Sequence, residues 1–200
     1  MKRPLSTLIA VIFFAVSCAP LKKEKSCEIW FEKVKTASYG DKNYFIRGNI
    51  FIHGAYTVFY GDLGKRTFLT VRSPFGRKLF SISYQNSQIC LLLPDSPEKC
   101  GKDLDIYWDY LNVKTPFDLK SLLTGRFKIG EDADYRCING NLVVEYNGME
   151  IFYEGLRTKE VNFKDFSAYY YYEDGKIKKI VIKEKGKEIF RIYVRELREV

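Results

Sequence analysis

Histidine is almost missing from this chain: His53 stands alone among 200 residues. It falls on the solvent side of a predicted strand, which removes the commonest general base and the commonest zinc ligand together. No Gly-x-Ser-x-Gly elbow presents a nucleophilic serine, and no glycine-rich loop is built to cradle a phosphate. Carboxylates gather at Asp103, Asp105 and Asp109, and again at Glu131, Asp132 and Asp134. Both groups lie beside expected turns and helix starts, where acids are solvated or cap a helix. Asp132 and Asp134 also lack the loop pattern that makes a calcium site specific. The chain therefore reads as a non-catalytic protein with no metal site and no cofactor. Internal repeats and low-complexity tracts are absent as well, unless the tyrosines Tyr169, Tyr170, Tyr171 and Tyr172 count as one.

What is present begins at the N-terminus. Lys2 and Arg3 precede an uncharged stretch, residues 4–16, that is short for a bilayer span and right for the apolar region of an export leader. It ends in Ala15-Val16-Ser17-Cys18, which resembles a bacterial lipobox, with Ala15 where Leu is commonest. The resemblance implies cleavage before Cys18 and acylation of that residue. Residues 1–17 are then a lipoprotein signal peptide, 18–25 a lipidated tether and 26–200 one domain; a plain secretory leader is the alternative. Several acyl tails anchor stably where one is marginal. By similarity to enterobacterial sorting rules, Ala19 in place of Asp implies the outer membrane, with the domain on its periplasmic face.

Loss of Lys2 and Arg3 takes the formal charge from +8 to +6. An exported protein meets no nucleic acid, so the balance serves anionic headgroups, acidic partners or solubility. Tyr169 to Tyr172 with Lys176, Lys178 and Lys179 is for the same reason not read as a surface for single strands. Alternate tyrosines instead face the interior and the headgroups.

Five cysteines become four once Cys18 carries lipid. Cys27, Cys90, Cys100 and Cys137 permit two disulfides in an oxidising compartment, in three connectivities. The expected one pairs Cys90 with Cys100, closing a local loop, and Cys27 with Cys137, pinning the N-terminal segment to the body. Four buried free thiols are the alternative.

Along the chain, Ser26 is placed as the cap of a helix over residues 27–37, with Ile29, Trp30, Val34 and Ala37 on its period, stopped by Tyr39-Gly40-Asp41. Residues 44–53 read as a strand with Ile46, Ile50 and Ile52 on one face and Arg47, Asn49 and His53 on a wet one. Another strand, residues 56–60, follows. The hairpin over residues 67–94 is central: its strands, 68–71 and 79–84, flank the tip Ser73-Pro74-Phe75-Gly76. Pro74 and Gly76 specify that turn unaided, which frees Phe75 to point outward. Residues 95–102 read as a polar excursion. Leu104, Tyr107, Trp108 and Leu111 suit one short helix; Phe117, Leu119, Leu122 and Leu123 suit a second, begun near Pro116 and closed by Gly125. Strands return at 135–138, 142–146, 149–153, 161–172, 176–183 and 187–195, between Asn139-Gly140, Asn147-Gly148, Asp174-Gly175 and Lys185-Gly186. So many antiparallel strands must curl, with the helices over the concave face. The expected fold is mainly β, of α+β class: an antiparallel half-open β-barrel with an N-terminal helix and short mid-chain helices as plug or lid.

Several segments together resemble LolB, the outer-membrane receptor for lipoproteins, across roughly residues 43–155. They are Arg47-Gly48, the aromatic strand 56–60, residues 69–76 ending in Ser-Pro-Phe-Gly, Thr115-Pro116-Phe117-Asp118-Leu119 and Leu122-Leu123-Thr124-Gly125. The resemblance implies an incomplete barrel with a helical lid that holds the acyl chains of client lipoproteins, or lipid. It also implies a periplasmic LolA-like carrier as partner and a monomeric receptor. The acyl-chain cavity is assigned to Ile46, Ile50, Val58, Leu69, Val71, Trp108, Leu119 and Leu122. The family's protruding tip, typically Leu in Asn-Pro-Leu-Gly, corresponds here to Pro74 and Phe75, with Ser73 replacing the Asn. Carrying acyl chains through water costs about 0.8 kcal/mol per exposed CH₂, which an apolar cavity offsets. The competing reading is the same anchored barrel packed solid, a structural or interaction lipoprotein of an envelope assembly.

Overall fold

Two-residue turns set the topology. Asn139-Gly140, Asn147-Gly148, Asp174-Gly175 and Lys185-Gly186 each hold both residues at positive φ, between 48° and 78°. That left-handed pair matches the twist of the strands it joins, so each strand returns beside its predecessor. The computed structural model describes residues 21–38, 42–52, 54–85, 88–101 and 117–200. Helix α1 (Leu21–Ser38) precedes strands β1 (Tyr44–Ile52), β2 (Ala55–Leu63), β3 (Thr67–Arg72), β4 (Lys78–Gln85), β5 (Gln88–Leu92) and β6 (Lys99–Gly101). Helix α2 (Leu119–Thr124) follows, then β7 (Asp134–Ile138), β8 (Asn141–Tyr146), β9 (Met149–Glu154), β10 (Arg157–Phe163), β11 (Phe166–Glu173), β12 (Lys176–Glu184) and β13 (Lys187–Glu199). No described helix is long and apolar enough to cross a membrane.

The 13 strands form one antiparallel sheet in the order β6-β5-β4-β3-β2-β1-β13-β12-β11-β10-β9-β8-β7. Two meanders, β1 to β6 and β13 to β7, are thus joined along β1 and β13, and the sheet stays open at β6 and β7. Its concave face carries the core. Phe80 and Ile82 on β4, Ile180 and Ile182 on β12, and Phe190, Ile192 and Val194 on β13 alternate inward and are all buried. An irregularity in β13 opposite Arg47/Gly48 shifts this parity, so that Leu197 rather than Glu196 packs on the core.

The structure corrects five expectations. Residues 161–172 are two strands, because the chain turns at Lys164-Asp165 with Lys164 at φ 53°; with neither Gly nor Asn, the turn has only Asp165 as a composition signal. The excursion at 95–102 includes β6, whose Cys100 lies opposite Cys90 of β5. Helix α1 begins at Leu21, which puts Ser26 inside it rather than at its cap. Its buried stripe is Cys27, Phe31 and Val34, whereas Ile29 is exposed and so is Ala37; Phe31 stacks on Tyr135 of β7 at 4.2 Å. Finally, Asn49 is buried on the supposedly wet side of β1. Tyr56 and Arg195 lie over it, and with its amide oxygen toward Arg195 it accepts from Nε at 2.8 Å. The expected helix around Trp108, the stop at residues 39–41 and His53 lie outside the described residues.

Candidate functional site

Helix α2 is the element set into the concave face. Asp118 starts it, its carboxylate accepting from the backbone N–H of Lys120 at 3.3 Å and of Ser121 at 2.8 Å. Gly125, at φ 65°, ends it in the left-handed conformation. One side of this short helix is apolar and the other is tied down. Its carbonyl at Leu122 accepts from the buried Tyr170 hydroxyl of β11 at 3.0 Å, and the carbonyl of Gly125 accepts from Thr158 of β10 at 2.6 Å. Tyr172 donates in turn to the carbonyl of Thr158 at 2.8 Å. Burial pushes the phenols of Tyr153 and Tyr170 well above their usual range. Burial also pushes Tyr172 up to about 12, against the opposing pull of Arg157 and Arg126. All three stay neutral at physiological pH, which leaves Tyr170 and Tyr172 the protons they donate.

The apolar side of α2 faces strands β1 to β4 and β13. Between them lies an apolar cavity of about 40 Å³. Of the residues assigned from the sequence, Ile50, Leu69, Val71, Leu119 and Leu122 line it. Phe59, Phe80, Ile82, Phe190 and Ile192 of the sheet and Leu123 of α2 line it too; period-two alternation was the signal that could have added the strand residues. Ile46 is fully buried in the same core but does not line this cavity. Val58 is a correction: it pairs with Asn49, one residue out of phase with the inward Phe59, and so sits on the convex face. Trp108 lies outside the described residues. Ligand pockets measure about 300–1,000 Å³, so no acyl chain fits while α2 sits where it does. A second cleft, of about 520 Å³, opens where β10 and β11 part, but Glu154, Arg157, Lys159 and Glu160 line it.

At one rim stands the β3–β4 turn. Gly76 N–H donates to the carbonyl of Ser73 at 3.0 Å, Ser73 N–H to that of Arg77 at 2.8 Å, and Arg72 Nη1 to that of Gly76 at 2.9 Å. This bonding fixes the turn without Phe75, which is 97% exposed; Pro74 beside it is exposed as well. Two disulfides brace the sheet: Cys27 of α1 to Cys137 of the edge strand β7, and Cys90 to Cys100 across β5 and β6. Cys18 lies outside the described residues.

No protein-family model and no curated protein sequence matches this chain. Solved structures resemble it in fold. A LolA superfamily protein from Nitrosomonas europaea aligns over 86% of this chain and 92% of its own, at 10% identity and a TM-score of 0.50. A putative outer membrane lipoprotein-sorting protein domain from Vibrio parahaemolyticus aligns over 88% of this chain and 92% of its own, at 13% identity and a TM-score of 0.51. The open sheet with its inset helix is thus a LolA-type half-barrel.

Proposed function

We propose that this chain is a lipid-anchored, LolB-like acceptor that takes acyl chains of lipoproteins, or lipid, beneath α2 and passes them into the membrane. The observation that carries the reading is the contrast between two apolar places. One is a wholly apolar seam between α2 and the sheet; the other is Phe75, held out in water by a turn that does not need it. A carrier requires the first and a membrane-inserting receptor the second. Cys18 would supply the anchor on the outer membrane, and a LolA-like carrier would deliver the client. Acceptance requires α2 to swing away from the seam, with the hydroxyl contacts of Tyr170 and Thr158 to be broken or used as a pivot. No catalytic step, cofactor or metal enters this scheme; affinity differences give direction.

The test uses the chain from residue 19, checked for β-sheet by circular dichroism, titrated with a fluorescent acylated peptide. Saturable micromolar binding displaced by long-chain lipid is expected. The small cavity, about 40 Å³, favours a second reading, a packed interaction lipoprotein of an envelope assembly. Absence of binding to the well-folded chain would establish that reading and remove the first.

A further inference from the structure

The convex face of the sheet is not an ordinary solvent face. In register across β11, β12, β13 and β1 run Tyr171, Lys179, Tyr193 and Asn49, and one step closer to the Phe75 rim run Tyr169, Val181, Arg191, Phe51 and, on β2, Tyr56. Cations sit on the rings: Lys179 Nζ is 3.9 Å from the Tyr171 centroid, Lys183 Nζ 4.8 Å from Tyr169, and Arg191 5.9 Å from Tyr193. Phe51, Tyr56, Tyr171 and Tyr193 are nonetheless exposed. Arg72 continues the patch to the tip, since its guanidinium donates to the Tyr60 hydroxyl at 3.1 Å and to the Gly76 carbonyl beside Phe75.

The cations of this face outnumber the acids that could pair with them. Lys179, Lys183, Arg72 and Arg195 form no ion pair with a carboxylate among the described residues. Four acids border the patch, each already bonded: Glu188, opposite Lys183, to Arg191 at 2.8 Å; Glu160, opposite Tyr169, to Asn162 at 2.9 Å; Glu173, two residues from Tyr171, to Lys178 at 3.4 Å; and Glu196, beside Arg195, to Arg198 at 3.0 Å. Exposed tyrosines interleaved with long basic side chains suit the headgroup layer, where ring and stem sit in the apolar boundary and the charge meets phosphate.

We propose that this convex patch, centred on Tyr171, Lys179, Arg191 and Tyr193, lies against anionic lipid headgroups and lays the domain on its back with the Phe75 tip as wedge. It builds on membrane association in the function proposed above, but it assigns a separate surface that no acyl client touches.

The test reconstitutes the full acylated chain in vesicles of phosphatidylcholine alone or with phosphatidylglycerol. Lysines are acetylated and their rates read by mass spectrometry, with Lys99 on the far edge strand as reference. Labelling of Lys179 and Lys183 is expected to slow about fivefold or more in the anionic vesicles only, to recover in high salt, and to behave the same in Phe75→Glu. Equal rates in both vesicles overturn the proposal. So does protection that also appears in phosphatidylcholine or with rising protein concentration, which would assign the face to a protein contact. Protection lost in Phe75→Glu overturns it too, by reducing the contact to the tip. Because no client is present, failure here leaves acyl acceptance standing, and failure of acceptance leaves this result standing.

Discussion

Phe75 and Gly48 show two opposite ways a single residue matters. Phe75 contributes almost no packing, being 97% exposed, so Phe75→Glu is expected to change unfolding free energy in urea by no more than about 0.5 kcal/mol. The same variant should abolish delivery of an acylated client into vesicles. A loss of several kcal/mol would instead mean that the ring packs in solution. Gly48 has no side chain to act with, yet it is structurally tight. A Cβ there would meet the carbonyl oxygen of Tyr193 and the ring of Phe59 at 2.8 Å, and Phe59 is buried and has nowhere to go. Gly48→Ala should therefore destabilise by about 1–3 kcal/mol in denaturant titration. The outward Phe75 was legible because Pro74 and Gly76 already satisfied the turn. The demand on Gly48 was not, since it is imposed by residues 11 and 145 positions away in the chain.

Among the elements, α2 and α1 are held by different chemistry. Two hydroxyls from the sheet satisfy carbonyls at the end of α2, so Tyr170→Phe leaves the Leu122 carbonyl short of a donor. That costs about 1–2 kcal/mol, and if α2 swings during acceptance, the variant should take up acylated peptide faster in stopped-flow fluorescence. Unchanged uptake would mean that α2 is a fixed plug. Helix α1 is fastened to β7 by Cys27–Cys137, a bond across 110 residues, against 10 for Cys90–Cys100. Chain-entropy reasoning gives about 5 kcal/mol for the longer closure and about 3 for the shorter. Cys27→Ser with Cys137→Ser should accordingly lower the urea midpoint more than Cys90→Ser with Cys100→Ser. The sequence announced α2 through its leucines and Gly125, but began it near Pro116 rather than at the Asp118 cap. It misplaced the buried stripe of α1, since apolar Ile29 fits a helical period as well as Phe31 does and only the disulfide and the Tyr135 stack choose between them.

At the scale of the whole molecule, alkaline pH acts on the phenols buried beneath and beside α2. Tyr153, Tyr170 and Tyr172 all have phenols raised by burial above the 10.0 of an exposed tyrosine. A raised acid keeps its proton in the folded state after the unfolded chain has lost it, so their contribution is intact below pH 10 and declines as pH climbs through 10 to about 12 and beyond. Each adds a slope approaching about 1.4 kcal/mol per pH unit, roughly 4 for the three. Urea unfolding between pH 9 and 11.5 should show this fall, to which the buried Tyr44 adds in the same direction, with a shallower slope in Tyr170→Phe; equal slopes would mean that Tyr170 is not the buried donor. This cluster spans β9, β10 and β11, strands that a sequence places in order but not in depth. What the sequence determined by itself was local: period-two alternation gave Ile46 and Ile50 as inward residues of β1, and the Asn-Gly and Asp-Gly turns gave the meander, because both act within a few residues. What only the tertiary structure decided was which distant groups meet. The closure of β1 on β13, the bonding of α2 to Tyr170 and Thr158, the burial of Asn49 under Arg195 and the size of the void beneath α2 all depend on how far a 13-stranded sheet curls, a property of the summed twist of every strand rather than of any one segment.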